Sequence, residues 1–522
     1  MSVGIAISGG GHRATLWGWG ALLALAETGA NGEVVSIASV SGGSITNGAV
    51  ANAGDYSAMS ATDLEAVMAP GLRIAARDGL FFFGPATNGY VTTVFGVAAL
   101  AVAAVLALLV TAIGTGREWP AVAFVPVGLA LAALAWLVWL RKGRVPAPLA
   151  AVVTVDLLLG GPLMAAFIWA SGGGRPWHPV LGLAVAVAIT AVLATAALKL
   201  FGRRSLVVDQ ALGETLLSRD GRPTTMAEVD SPVHHVFCAT ELQSGDQVYM
   251  SPRLVYGYRV GRGTPGDLHL STAVQCSSCL PGAFVARELD TAGFRLERPW
   301  AVADDEPAAP PALLVVNDGG VYDNMADQWE QGYHSRRRRL PDLEAVQPRA
   351  NMLVVVNASK ALGWSPLRRA QGLAAEIRGL TRTVDILYDV STSHRRQGLV
   401  TRFSAAGPEE LDGCLVHIAQ SPFSTPKAFA RSGDEATASR AREALDLLEA
   451  LGAGEEAWDR RAERSPQVPT VLSAVGEEAA ADLLEHAFLL TALNSYVVLG
   501  LGALPSVERC RRERFENLVR QA

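Results

Sequence analysis

The chain has 522 residues, of which 50% are hydrophobic and 18% charged, and its formal net charge is -6. That balance is too apolar for an ordinary soluble enzyme, and the length allows more than one domain. The one dense basic run, Arg336–Arg339, reads as a solvated face, so no nucleic-acid footprint is expected.

No charged segment followed by an apolar core precedes the first element, and the N-terminus is therefore expected to stay in the cytosol. Val3–Ile7 reads as a buried strand that runs into Gly9-Gly10-Gly11-His12-Arg13, after which Ala14–Thr28 has helix-forming composition. A glycine run between strand and helix presents backbone N–H groups where the helix dipole favours an anion. The loop lacks the spacing of a nucleotide P-loop and of a dinucleotide fingerprint. A phosphate, the oxyanion of an acyl-transfer intermediate and a ligand-free turn all remain open on these residues alone.

Val34–Ser41 repeats the strand pattern and breaks at Ser41-Gly42-Gly43, with a small-residue helix through Gly43–Ala53. Strand, sharp turn, helix is the pattern of a nucleophile elbow, which lifts one serine, here Ser41, out of the sheet edge. Ser39 stands where the first small residue of the elbow is usually glycine. Both it and Gly43 are small enough to clear the neighbouring strand and helix. Residues 54–90 are polar and then aromatic, and Phe81-Phe82-Phe83 reads either as an interfacial anchor or lid or as a buried cluster.

Four apolar stretches follow: Val91–Ile113, Ala121–Leu140, Leu149–Ala170 and Val180–Phe201. Each is near the ~20 residues that cross a ~30 Å hydrocarbon core, so four transmembrane helices are expected. Arg73, Arg77, Arg141, Lys142, Arg144, Lys199, Arg203 and Arg204 lie on one side and only Arg117 and Arg175 on the other, which makes the first side cytosolic. An even number of crossings returns the chain to the side it left. The expected organisation is therefore a domain made of residues 1–90 and 205–522, with 91–204 as a membrane insertion. Asp156 is the one acidic residue well inside these spans, either a functional carboxyl or a protonated structural donor facing the bundle interior.

After the insertion, Val233–Ala239 reads as a strand whose adjacent His234 and His235 face opposite ways, which speaks against a shared metal site. Ser271–Pro281 reads as a tightly packed helix. The five cysteines, at 238, 276, 279, 414 and 510, have no disulfide-framework spacing, and Cys276-x-x-Cys279 lacks a second pair, so a reducing compartment is expected. Leu313–Asn317 is a buried strand broken by Asp318-Gly319-Gly320, which puts a carboxylate where open α/β sheets place their sites. Met352–Asn357 is a further strand. Gly433–Leu451 is an amphipathic helix, and Ala479–Leu504 is read as a core helix, interrupted at Asn494-Ser495-Tyr496, rather than a fifth span.

In this order, Gly9-Gly10-Gly11-x-Arg13, Ser39-x-Ser41-x-Gly43 and Asp318-Gly319-Gly320 resemble the patatin-like phospholipase family. Ala239-Thr240-Glu241-Leu242 with Gly245, Ser277-Ser278-x-Leu280-Pro281-Gly282-Ala283-Phe284 and Val321-Tyr322-Asp323-Asn324 also fit. The resemblance covers the cytosolic parts and not the four spans. It implies a three-layer α/β/α domain with a mostly parallel sheet, in which Ser41 is the nucleophile and Asp318 its general base, with no triad histidine. It further implies an oxyanion hole from Gly9, Gly10 and Gly11 and support from Gly42. Arg13 would stabilise the loop or meet a lipid phosphate, and His12 would shape the loop. No metal or cofactor is implied. Membrane phospholipids or lysophospholipids and water are the expected partners, with a homo-oligomer through the bundle as a further possibility. Two other readings of the same residues are a lipid-sensing module without catalysis and a channel or transporter gated by the cytosolic domain.

Overall fold

The computed structural model describes residues 1–94, 96, 199–200, 202–300, 307, 309–360, 362–364, 373–403, 411–452 and 454–522. The chain divides into two units, Met1–Phe83 with Val208–Ala522, and Gly84–Val207. In the second unit residues 85–94 are helical. Apart from residues 91–94, 96 and 199–200, the four apolar stretches lie outside the described residues, and so does Asp156. Among the described residues no helix is long and apolar enough to cross a membrane.

The first unit is built on ten strands: β1 (Val3–Ile7), β2 (Val34–Ser39), β3 (His234–Glu241), β4 (Gln247–Met250), β5 (Val255–Gly257), β6 (Gly261–Gly263), β7 (Arg287–Asp290), β8 (Leu313–Asp318), β9 (Met352–Asn357) and β10 (Asp412–His417). Their order is β10-β9-β1-β2-β3-β4-β5-β6, with β8 and β7 branching from β3. From β10 to β3 all pairings are parallel, and beyond β3 they are antiparallel.

Successive residues of a strand point to opposite faces, and here each face is apolar, as a sheet covered on both sides requires. Ile5, Ile7, Ile37, Val354 and Val356 enter one core, and Ala6, Ala38, Leu353 and Val355 enter the other. The first core is completed by α1 (Gly11–Glu27), α2 (Gly42–Ala53), α3 (Ala61–Arg73), α6 (Glu477–Leu499) and α7 (Arg512–Gln521). A short helix, α4 (Leu270–Ser277), joins this face. The second holds Trp329, Tyr333 and Leu399, the last carried by α5 (Leu373–Phe403). The result is three layers, helix, sheet and helix.

Helix α1 is buried on all sides because it lies between the sheet and α6, which explains its uniformly apolar composition. Helix α6 is a core helix, as its acidic residues require: Glu485 and Asp482 pair with Arg461 and Arg512. The expected interruption does not occur. Asn494 fits inside the helix because its amide donates to the Leu415 carbonyl at 2.9 Å.

Arg336 departs from its expected solvated setting. Its guanidinium is buried 4.2 Å from the Trp329 ring centroid and donates to Gln347 Oε1 at 3.2 Å, while Arg337 and Arg338 are exposed. Phe81 and Phe83 pack against the core, with Phe81 stacked on Phe284 at 5.8 Å, and Phe82 is exposed. His234 and His235 do face opposite sides: His234 stacks on Trp329, and His235 Nδ1 lies 2.7 Å from Asn47 Oδ1.

Candidate active site

The site follows from how β2 and β8 meet β3. Residues Ser36–Ser39 of β2 run parallel to His234–Phe237, while Val316–Asp318 of β8 run antiparallel against Glu241–Ala239. The opposite edge of β3 is taken by β4 over Phe237–Thr240, so β2 and β8 share one edge and approach end to end. Each ends in a turn at the same place. Ser41 N–H donates to the Ser277 carbonyl at 3.0 Å and Asp318 N–H to the Cys279 carbonyl at 3.1 Å, so one segment at the end of α4 holds both turns.

Ser41 has φ 53° and ψ -126°, a strained conformation for a residue with a side chain, and is 9% exposed. It caps α2, with the Gly9–Gly11 loop pressed against it. A Cβ at Gly42 would sit 2.0 Å from the Gly11 carbonyl oxygen, and one at Gly9 would sit 3.1 Å from Ser41 Cβ. Only glycine lets the two backbones approach this closely.

The three loop glycines do not play equal parts. Gly9 N–H is spent on the Asn324 carbonyl at 2.9 Å, so Gly9 is a wall against Ser41 and not an oxyanion donor, which corrects the expectation. The N–H groups of Gly10 and Gly11 donate to no acceptor among the described residues, and neither does that of Gly42 at the start of α2. These three N–H groups sit at two helix N-termini beside one hydroxyl, the donor set an oxyanion needs.

Arg13 turns inward. Its Nε donates to the Ala358 carbonyl at 2.9 Å and its Nη1 to the Val468 carbonyl at 2.7 Å, and burial lowers its pKa to about 10. It links the glycine loop to the end of β9, with its side chain buried. His12 is held through Nδ1 at 3.0 Å from the Ser473 carbonyl. Burial lowers its pKa to about 4, so it is neutral at ordinary pH.

Asp318 is 1% exposed. Its Oδ1 accepts from Gly320 N–H at 2.8 Å, and Oδ2 closes no hydrogen bond among the described residues. Burial raises its pKa to about 7, against smaller opposing contributions from the Gly320 N–H and from the nearby Ser41 hydroxyl. The structure thus brings Ser41 and Asp318 together as neighbours, with the carboxyl poised near neutrality. A hydroxyl and a carboxyl that are adjacent without a closed hydrogen bond can tighten once a ligand is present.

Beside the site, the sequence marks some residues, Ser39, Ser277 and Asp323 among them, but not the partners that they meet. The Ser39 hydroxyl is the centre of a polar network under the elbow. It accepts from Asn47 Nδ2 at 2.9 Å and from Ser44 Oγ at 3.0 Å, and Ser44 Oγ lies 2.8 Å from Ser277 Oγ. On the acid side, Arg395 of α5 pairs with buried Asp323 at 3.0 Å and buried Asp327 at 3.1 Å. Asp327 has its pKa raised to about 8 by burial and then by the charge of Asp323. Tyr388, seven residues before Arg395 on the same helix face, lies beside Gly320. Asp323 and Asp327 are four residues apart, but nothing local marks Arg395 as their partner or Tyr388 as the neighbour of Gly320.

No family model and no curated relative matches this chain. Among solved structures, the fold is similar to human GIVD cytosolic phospholipase A2, with 13% identity and a TM-score of 0.36 over 100% of this chain and 60% of that one. The chain thus matches about three fifths of the human protein's length. It is also similar to VipD from Legionella pneumophila, with 12% identity and a TM-score of 0.24 over 99% of this chain and 91% of that one.

Proposed function

We propose that this chain is a patatin-like serine lipid acyl hydrolase of phospholipase A or lysophospholipase type, working with a Ser41-Asp318 dyad. The observation that carries the reading is the strained Ser41 beside a buried, half-satisfied Asp318 carboxyl, with the uncommitted N–H groups of Gly10, Gly11 and Gly42 around it.

As Asp318 takes the Ser41 proton, the serine oxygen attacks the acyl carbonyl of a lipid ester, and the carbonyl electron pair moves to an oxyanion held by the three N–H groups. Collapse breaks the ester C–O bond, and Asp318 returns its proton to the departing alkoxide. Water then attacks the acyl-Ser41 ester, giving its proton to Asp318, which passes it back to Ser41 as the fatty acid leaves. A lone carboxylate is a weak base in water, and burial that lifts Asp318 to about 7 brings it nearer this task.

The reading includes a membrane anchor of four spans over 91–201, with the catalytic unit in the cytosol. The support is the length and apolarity of those stretches and the bias of Lys and Arg to one side. Anchoring suits a substrate that barely dissolves in water.

The test is purified protein incubated with mixed phospholipids and lysophospholipids, with mass analysis of fatty acid and lyso products. Ser41→Ala should reduce fatty acid release by on the order of 10⁶-fold, which is to background. Release that survives the substitution would refute the dyad.

A further inference from the structure

On the acid side of the site, two buried polar atoms on either side of Gly320 close no hydrogen bond among the described residues. They are Asp318 Oδ2 and the Tyr388 hydroxyl, and both are shielded from water. They are neighbours across Gly320. A Cβ built there would lie 2.9 Å from Tyr388 Cε1, the ring carbon next to the one that carries the hydroxyl, and 3.0 Å from Asp318 Oδ1. The Asp318 charge is felt at Tyr388, where burial and then that charge raise the phenol pKa.

The ring is held from behind. Tyr388 lies on α5, on the face shared by Thr392, Arg395 and Leu399, which turns toward the protein: Thr392 and Leu399 are buried. Arg395 fastens this helix to Asp323 and Asp327, on the segment that continues from Asp318-Gly319-Gly320. The opposite face carries exposed Ile386, Leu387 and Val390. Two buried groups of matching chemistry, one only an acceptor and one with a donor proton, are costly to leave apart.

We propose that Tyr388 is a positioning residue for the base: its hydroxyl donates to Asp318 Oδ2 while the carboxylate is ionised and releases it when Oδ2 takes the proton of Ser41. This rests on the hydrolase reading above. Oδ1 accepts from the Gly320 N–H, and in this proposal the Ser41 proton goes to Oδ2, the oxygen that closes no hydrogen bond among the described residues. In the transfer the Ser41 O–H bond breaks, an O–H bond forms at Oδ2, and the electron pair stays on the serine oxygen for attack. A donor to the ionised form makes Asp318 a base over a wider pH range, including the acid side of neutrality. Among the described residues, the other titratable groups near the pair are the Ser41 hydroxyl from the elbow and the Cys279 thiol, which donates to the Val285 carbonyl at 3.0 Å.

The test is the rate at which a fluorophosphonate labels Ser41, followed through pH values on both sides of about 7, in wild type, Ser41→Ala and Tyr388→Phe. Tyr388→Phe keeps the ring against Gly320 and removes only the donor. It should move the acid limb up by about one pH unit, which is about tenfold slower labelling below the midpoint, and leave the plateau in place. Incorporating a fluorinated tyrosine at position 388, a stronger donor, should move the limb the other way, and this arm decides the matter if Tyr388→Phe lowers the melting temperature. Curves that superpose for all three side chains would overturn the positioning role and leave the hydrolase reading standing. Wild type that labels no faster than Ser41→Ala would overturn both.

Discussion

The two sides of the site are held by different forces. Ser41 is fixed by backbone: a strained φ, the start of α2 and glycine loops that allow no side chain between them. Asp318 is fixed by an Asx turn onto Gly320 and, behind it, by the buried ionic cluster of Asp323, Asp327 and Arg395. Steric contacts are nearly independent of pH, whereas buried charges are not. The elbow side should therefore fail abruptly under substitution, and the acid side should respond in degrees and with pH.

The sharpest way to break this contrast after Ser41 itself is Asp318→Asn. Loss of a general base should lower fatty acid release by about 10²–10⁴-fold. The same variant should be more stable than wild type above neutral pH. Asp318 holds its proton more tightly in the folded chain, about 7 against 3.8, so burial costs stability progressively as pH rises between those values and by a constant amount above them. At about 1.4 kcal/mol per unit, the gain for Asn is on the order of 4 kcal/mol at most at alkaline pH and vanishes below the unfolded value. Urea unfolding at several pH values measures it, and a gain that grows toward acid would contradict the assigned burial.

Gly42→Ala comes next. Its Cβ would meet the Gly11 carbonyl oxygen at 2.0 Å, so the Gly9–Gly11 loop must move. A displacement of about 1 Å costs about 100-fold in rate, and this loss should be the same at every pH, as a steric fault requires. For the wild type, activity should rise as Asp318 ionises, with a midpoint no higher than about 7, and His12, already neutral there, should not contribute. A profile with a limb in the carboxylate range near 4 would instead place the base elsewhere.

The smallest effect belongs to Ser39→Gly. Asn47 Nδ2 also donates to the Ile37 carbonyl at 3.1 Å and Ser44 Oγ also lies 2.8 Å from Ser277 Oγ, so both former partners keep a hydrogen bond. The cost should be about 1 kcal/mol in unfolding free energy, with activity changed only a few-fold. A large loss of activity would make the polar network under the elbow part of the reaction.

What the order of residues determined by itself was the set of local shapes. β1 runs over Val3–Ile7 and β9 over Met352–Asn357, as read, because an apolar β-branched run bounded by turn residues carries its own limits. The loops at Gly9–Gly11, Ser41 and Asp318 were legible for the same reason, since a glycine-rich break after a buried strand is a local event. Only the tertiary structure decided which of these ends meet. It put β2 and β8 on one edge of β3, took Gly9 out of the donor set, turned Arg13 inward, buried Arg336 against Trp329 and laid Tyr388 beside Asp318. Hydrophobic periodicity records whether a residue is buried, but the partner of a buried polar atom lies on another element, far along the chain, and leaves no mark on its own neighbours.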